Sequence, residues 1–280
     1  MKLRNTIRIL SVFLIPGILT ISCSDMTSDI KELIGTKTHT IQSLSLTIPA
    51  PGIEVNTYET TYELWHEVRE WAAKNGYSFK NPGNEGSYQW SVQPSKRKYM
   101  PVTTITYMDA AVWLNAYSRK SGLSPAFYTD SSFSTEYRDS NQAIAELYMN
   151  ADSNGYRLPT VSEWKMVAKA GTKFKYAGSN NCDAVAVYGQ SKTNECGTKL
   201  PNSWGIFDMS GNVWELCYLS TTNVTAKGGS YGANDYALAI DYTPYPMSFN
   251  TAVDYIGFRI FSEPYINISR VNFSLMINET

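Results

Sequence analysis

The chain is poor in the residues that usually carry metal or nucleophile chemistry: it has two histidines and four cysteines. No CxxC or HExxH occurs, His39 lies in a polar stretch near the N-terminus, and His66 falls within a helical pattern. Zinc sites and His-based triads therefore lack support. Charge of one sign is also missing, since 24 Lys and Arg face 25 Asp and Glu for a net charge of −1. Without a positive field or a basic, aromatic-interleaved stripe, nucleic acid is not an expected partner. There is no internal repeat, and the apolar stretch at residues 9–21 is too short to span a bilayer comfortably.

What is present is a chain of 280 residues, 43% hydrophobic and 18% charged. That is enough to bury a sizeable core, and one main domain with a tether is the economical division. Lys2, Arg4 and Arg8 precede the apolar stretch, as in a secretory signal. Leu19-Thr20-Ile21-Ser22-Cys23 looks like a relaxed bacterial lipobox, with Cys23 as the lipidated first residue of the mature protein. The alternative is an ordinary signal in which Cys23 is incidental. The expected organisation is a signal at 1–22, a Ser- and Thr-rich flexible tether at 23–50, and a domain at 51–280. This predicts a bacterial cell-envelope protein, periplasmic or surface-exposed, whose membrane contact is the lipid anchor. Of the other cysteines, Cys182 and Cys196 close a short loop that a disulfide would staple if they lie close enough, and Cys217 is left over.

Three helices are predicted. Thr60-x-x-Glu63 has the form of a capping box opening a helix to about Lys74, with Leu64, Trp65, Val68, Trp71 and Ala72 on one face. A second spans about 107–121, with Ala110, Trp113, Leu114 and Tyr117 inward and Gly122 at its end. A third spans 160–170, where Thr160 and Glu163 make a capping box and Gly171 stops the helix. Glu163 is therefore expected to be a cap rather than an active-site acid. Residues 81–98 have the composition of an exposed loop, and the chain after Gly171 that of short strands and turns.

The run Gly205-Ile206-Phe207-Asp208-Met209-Ser210-Gly211-Asn212-Val213-Trp214-Glu215 sets an acid at each end of a tight turn. Two carboxylates and inward backbone carbonyls make an oxygen set that Ca2+ accepts. The same residues also suit a polar turn whose carboxylates take backbone N–H groups. Tyr156-Arg157-Leu158-Pro159-Thr160-Val161-Ser162-Glu163-Trp164 lies upstream, and Lys227-Gly228-Gly229-Ser230-Tyr231 and Ile256-Gly257-Phe258-Arg259 lie downstream. In order and approximate spacing, these four blocks are similar to the signatures of the formylglycine-generating-enzyme (sulfatase-modifying factor) family. The resemblance covers about residues 50–262. It implies an α+β, C-type lectin-like fold with little regular secondary structure. It also implies structural Ca2+ held by Asp208, Gly211, Val213 and Glu215, while a second calcium site around 181–194 has no clear residue match.

Catalytic relatives oxidise a substrate cysteine with two copper-binding cysteines, two and seven residues after the aromatic of the "GGS" block. Those positions here hold Ala233 and Leu238, and no cysteine follows Cys217. No copper and no oxidase activity are therefore expected. Between Lys227 and Arg259 there is no Lys, Arg, Glu, Gln or His. The stretch instead offers Tyr231, Asn234, Asp235, Tyr236, Asp241, Tyr242, Tyr245, Ser248, Asn250, Asp254 and Tyr255, the composition of a surface binding a protein or glycan. The plainer alternative is a strand-and-turn segment with ordinary surface tyrosines. This composition is similar to that of the variable proteins of diversity-generating retroelements, lectin-fold relatives of the same family. Residues 261–280 alternate apolar and polar and are expected to add a strand. A non-catalytic binding lipoprotein is thus the leading expectation, beside a family enzyme with other ligands and a structural envelope protein.

Overall fold

The computed structural model describes residues 45–48, 53–88, 93–242, 244 and 246–263, all within a compact unit at Gln42–Thr280. Cys23, Tyr245 and the chain beyond residue 263 lie outside the described residues. Among the described residues no helix is long and apolar enough to cross a membrane.

The order is β1 (Ser45–Ile48), β2 (Ile53–Asn56), α1 (Tyr62–Ala73), β3 (Asn84–Glu85), β4 (Val102–Thr103) and α2 (Tyr107–Lys120). It continues with β5 (Phe127–Tyr128), β6 (Tyr148–Met149), α3 (Val161–Lys169), α4 (Cys182–Val185), β7 (Trp214–Tyr218), β8 (Val224–Lys227), β9 (Ile256–Gly257) and β10 (Phe261–Ser262). This is an α+β architecture with little regular secondary structure. Two three-stranded sheets, β1-β2-β10 and β8-β7-β9, frame it. Between the described strands the pairings are antiparallel except that of β7 with β9.

One boundary differs from the sequence expectation. Ser45–Ile48, expected within the tether, pairs in register with Ile53–Asn56 and so gives β2 a neighbour on each side. At the start of the C-terminal tail, expected to add a strand, the two residues of β10 pair with the same β2.

The caps follow local chemistry. For α1 the cap is Thr61, whose hydroxyl accepts the Leu64 N–H, one residue later than expected. Glu63 is drawn instead to Lys98 at 2.7 Å. Helix α2 carries a capping box of Thr106 and Asp109 that the sequence reading missed, and Asp109 also takes N–H groups from Lys80 and Asn81. For α3 the Thr160–Glu163 box is present as expected, with Glu163 also bound by Arg157 at 2.7 Å.

Helices α1 and α2 pack through Trp65 and Trp113, stacked at 5.6 Å, with Phe258 edge-on to both. The Trp113 indole donates to the Trp65 carbonyl, so the pair is fixed by a hydrogen bond as well as by area. The segment expected to be an exposed loop at 81–98 is partly internal. Asn84 and Glu85 are buried, and Glu85 is held by the Ser95 N–H and hydroxyl.

Candidate functional site

The turn before β7 is shaped by backbone conformation. Asp208 and Asn212 both adopt the left-handed region (φ 59° and 58°), with Gly211 between them at φ 88°. A Cβ on Gly211 would lie 2.3 Å from the Val187 carbonyl oxygen, so glycine is required by close approach as well as by torsion. Asn212 then spends its side chain on tertiary contacts: its oxygen accepts the Asn194 N–H and its amide donates to Glu59 at 2.6 Å.

Inside the turn lies a buried charge cluster of Glu59, Asp208, Glu215 and Arg259. Glu215 takes the Arg259 guanidinium at 2.7 and 3.2 Å and the Trp164 indole N–H at 2.8 Å. Arg259 also donates to the carbonyls of Asn56 and Phe207. Glu59 takes the Val213 N–H, the Asn212 amide and the Cys196 thiol. Asp208 takes the Gly197 N–H at 2.6 Å. One guanidinium faces three carboxylates. Burial, then the Asp208 and Glu215 charges, push Glu59 well above the usual carboxylate range. Burial likewise raises Asp208 to about 6, against the pull of Gly197 and Arg259. The Cys196 thiol is pushed up by burial and by Glu59, which makes it a poor nucleophile.

The resemblance implied calcium held by Asp208, Gly211, Val213 and Glu215. The structure brings these four to one turn, but Glu215 is turned onto Arg259 and Trp164 rather than toward a shared centre. As they stand, these donors fit an ion-pair cluster better than a cation cage. Sequence reasoning missed Glu59, which has no spacing signal because its partner Asn212 is 153 residues away.

Ala233 and Leu238, at the positions of the family's copper ligands, pack in an apolar cluster with Tyr176, Val185, Ala186 and partly buried Cys182. Leu238 is fully buried. Ala233 and Leu238 do not fit copper, because soft Cu(I) needs thiolates and these two positions present hydrocarbon. Cys182, Cys196 and Cys217 are all free, so the short loop is not stapled.

The tyrosine segment divides into two kinds of residue. Tyr231 is not part of a free surface. It is 9% exposed, its hydroxyl donates to Asp254 at 3.1 Å, and its backbone bonds to Asn212 and Gln190. A strut between three loops buries its ring, which corrects its assignment as a ligand residue. Asn234, Asp235, Asp241, Ser248, Asn250, Asp254 and Tyr255 are exposed. Among the described residues Tyr236 is the most open aromatic at 67%. Its ring meets Tyr242 at 5.2 Å, and Tyr242 in turn meets Trp214 at 5.9 Å, giving a three-ring ladder. Trp214 entered the sequence reading only as part of a scaffold motif. Below the ladder, buried Lys227 donates to the Tyr242 carbonyl and lies 5.6 Å from the Trp164 ring centre. At the rim Asp235 pairs with Lys175, and Asp241 with Lys165 and Lys169.

The model of the family described as "Sulfatase-modifying factor enzyme 1-like domain" matches residues 35–264. The chain belongs to that family. It is 32% identical over 187 residues to chaperone protein LppX of Paenibacillus barcinonensis, covering 52% of this chain and 66% of that protein. Among solved structures it is similar to CarF, with TM-score 0.65 and 26% identity over 76% of this chain and 86% of that one. It also resembles Treponema denticola variable protein 1, with TM-score 0.61 and 22% identity over 79% and 92% of the two chains. PvdO from Pseudomonas aeruginosa follows at TM-score 0.52 and 16% identity, covering 79% and 91%. The last two likenesses concern the fold alone. They agree with a C-type lectin-like domain of the formylglycine-generating type.

Proposed function

We propose that this chain is an exported, lipid-anchored binding protein of the sulfatase-modifying-factor family, without oxidase activity, and that the Tyr236 surface holds a macromolecular ligand. One observation carries the reading: hydrocarbon fills the positions of the copper thiolates, while two residues from buried Leu238 the Tyr236 ring stands open to solvent. The buried leucine fixes the loop, so the exposed ring loses little freedom on binding, and preorganised aromatics are the usual anchors of recognition surfaces. The likeness to a protein named as a chaperone supports a protein ligand over a glycan. Asp235, Asp241, Asn234 and the exposed residues from Ser248 to Tyr255 form the polar rim of this surface.

The test has two arms. Copper-loaded protein given a Cys-containing sulfatase peptide is expected to yield no formylglycine, and turnover would refute the non-catalytic half. In a screen of envelope proteins and glycans, a ligand bound by the wild type is expected to be lost by Tyr236→Ala at unchanged melting temperature. Full retention by that variant would refute the other half.

A further inference from the structure

The loop at 81–98 gathers positive charge. Lys96, Arg97 and Lys98 are consecutive, and Lys192 joins them from a distant part of the chain. The Tyr88 ring holds two of these cations, with the Arg97 guanidinium carbon 4.4 Å and the Lys192 ammonium 4.6 Å from its centre. The two charges therefore stand within ~9 Å of each other, where like charges repel.

Buried polar contacts impose this closeness. Ser87 and Thr193 exchange bonds, the N–H of each donating to the hydroxyl of the other at 3.0 Å, and Thr193 is buried. A Cβ on Gly86, at φ 57°, would lie 2.1 Å from the Thr193 hydroxyl oxygen, so only glycine lets the two loops meet there. Tyr88 and Lys192 are the sequence neighbours of this lock. On the other side buried Glu85 takes the Ser95 N–H and hydroxyl, and the Ser95 hydroxyl oxygen accepts the Arg97 N–H.

Acids do not balance these cations. Lys98 pairs with Glu63 at 2.7 Å, and the Glu85 carboxylate lies 3.9 Å from Arg97. Among the described residues Lys96 and Lys192 form no ion pair, and the Arg97 guanidinium donates no hydrogen bond to a protein group. Lys96, Arg97 and Lys192 against the one carboxylate of Glu85 leave two positive charges, in a chain whose net charge is −1. We infer that Arg97 and Lys192, with Lys96 beside them, bind a phosphate monoester. Such a group carries about −1.5 to −2 at pH 7 and offers three acceptor oxygens. The guanidinium fork takes two of them and the lysines add point charge. A sulfate ester or a carboxylate carries a single negative charge and leaves the second cation unbalanced. Sugar phosphates and lipid headgroups both present the phosphate group.

The test is isothermal titration of the full chain with N-acetylglucosamine 6-phosphate, dihexanoyl phosphatidic acid and N-acetylglucosamine 6-sulfate. At least one monoester of phosphate is expected to bind about tenfold or more tightly than the sulfate ester, and the tighter of the two names the carrier. Arg97→Gln and Lys192→Gln should each weaken that binding about tenfold or more, the scale of one charge-assisted contact. Both side chains are exposed, so melting curves should not change. Lys74→Gln removes an exposed charge at the far end of α1 and should leave binding as it is. The Tyr236 surface plays no part, so Tyr236→Ala should bind the monoester as the wild type does. No binding of either phosphate ester, a sulfate ester held as tightly, equal losses in Lys74→Gln and Lys192→Gln, or loss in Tyr236→Ala overturns the inference.

Discussion

Arg259 and Glu215 stand 44 residues apart in the chain and 2.7 Å apart in space, with neither side chain open to water. Breaking a buried pair from one side costs ~3–5 kcal/mol because it leaves an uncompensated charge. The two sides are not equivalent here. Arg259→Met leaves three buried carboxylates without a cation and is expected to lose that full amount in urea unfolding. Glu215→Gln is expected to cost less, because Asp208 and Glu59 can still ionise against Arg259. Equal losses, or a neutral Arg259→Met, would show that the cluster is not organised around the guanidinium.

With Glu215 committed to Arg259 and Trp164, a folded state that gains nothing from Ca2+ should melt at the same temperature with and without a chelator. A melting temperature that falls on chelation, and whose fall is smaller in Glu215→Gln, would restore the cation implied by the family resemblance.

Burial, with Lys165 beside it, depresses the Lys227 ammonium to about 8 from an ordinary 10.5. Between those values the unfolded chain binds more protons than the folded one, so this residue makes stability rise with pH in that window and fall as pH drops through about 8. The buried thiols of Cys196 and Cys217, pushed up by burial, act in the opposite direction. The measurement is therefore a difference. Relative to Lys227→Met, the wild type should gain stability from pH 8 to 10, and parallel curves would place Lys227 in contact with water.

Cys23 lies outside the described residues, and its role rests on the lipobox-like sequence. Cys23→Ala is expected to release the protein from membranes or to block its maturation, since acyl chains provide the anchorage. Identical membrane partitioning with and without Cys23 would remove the lipoprotein reading.

Local signals were legible where the chemistry is local. The Thr160–Glu163 box marks α3 because both partners lie within one turn, and the amphipathic spacing around Trp65 and Trp113 marks α1 and α2. The α1 cap was placed one residue early because adjacent threonines offer equal local chemistry, and Lys98, 35 residues away, decided what Glu63 would do. Tyr231 and Tyr236 sit in similar sequence contexts, yet one is a buried strut and the other the most exposed aromatic among the described residues.

By itself the sequence determined the family, through four ordered blocks that are now seen around the Arg259–Glu215 pair, and it determined the loss of the copper thiolates, since an absent cysteine needs no coordinates. Only the tertiary structure decided that Glu59 joins Asp208 and Glu215, that Glu215 faces a guanidinium, and that Leu238 is a buried peg beneath an exposed ring. Each of these depends on contacts between residues far apart in the chain, where burial sets both the charge state of an acid and the exposure of an aromatic ring, and neither property is carried by a residue's own chemistry.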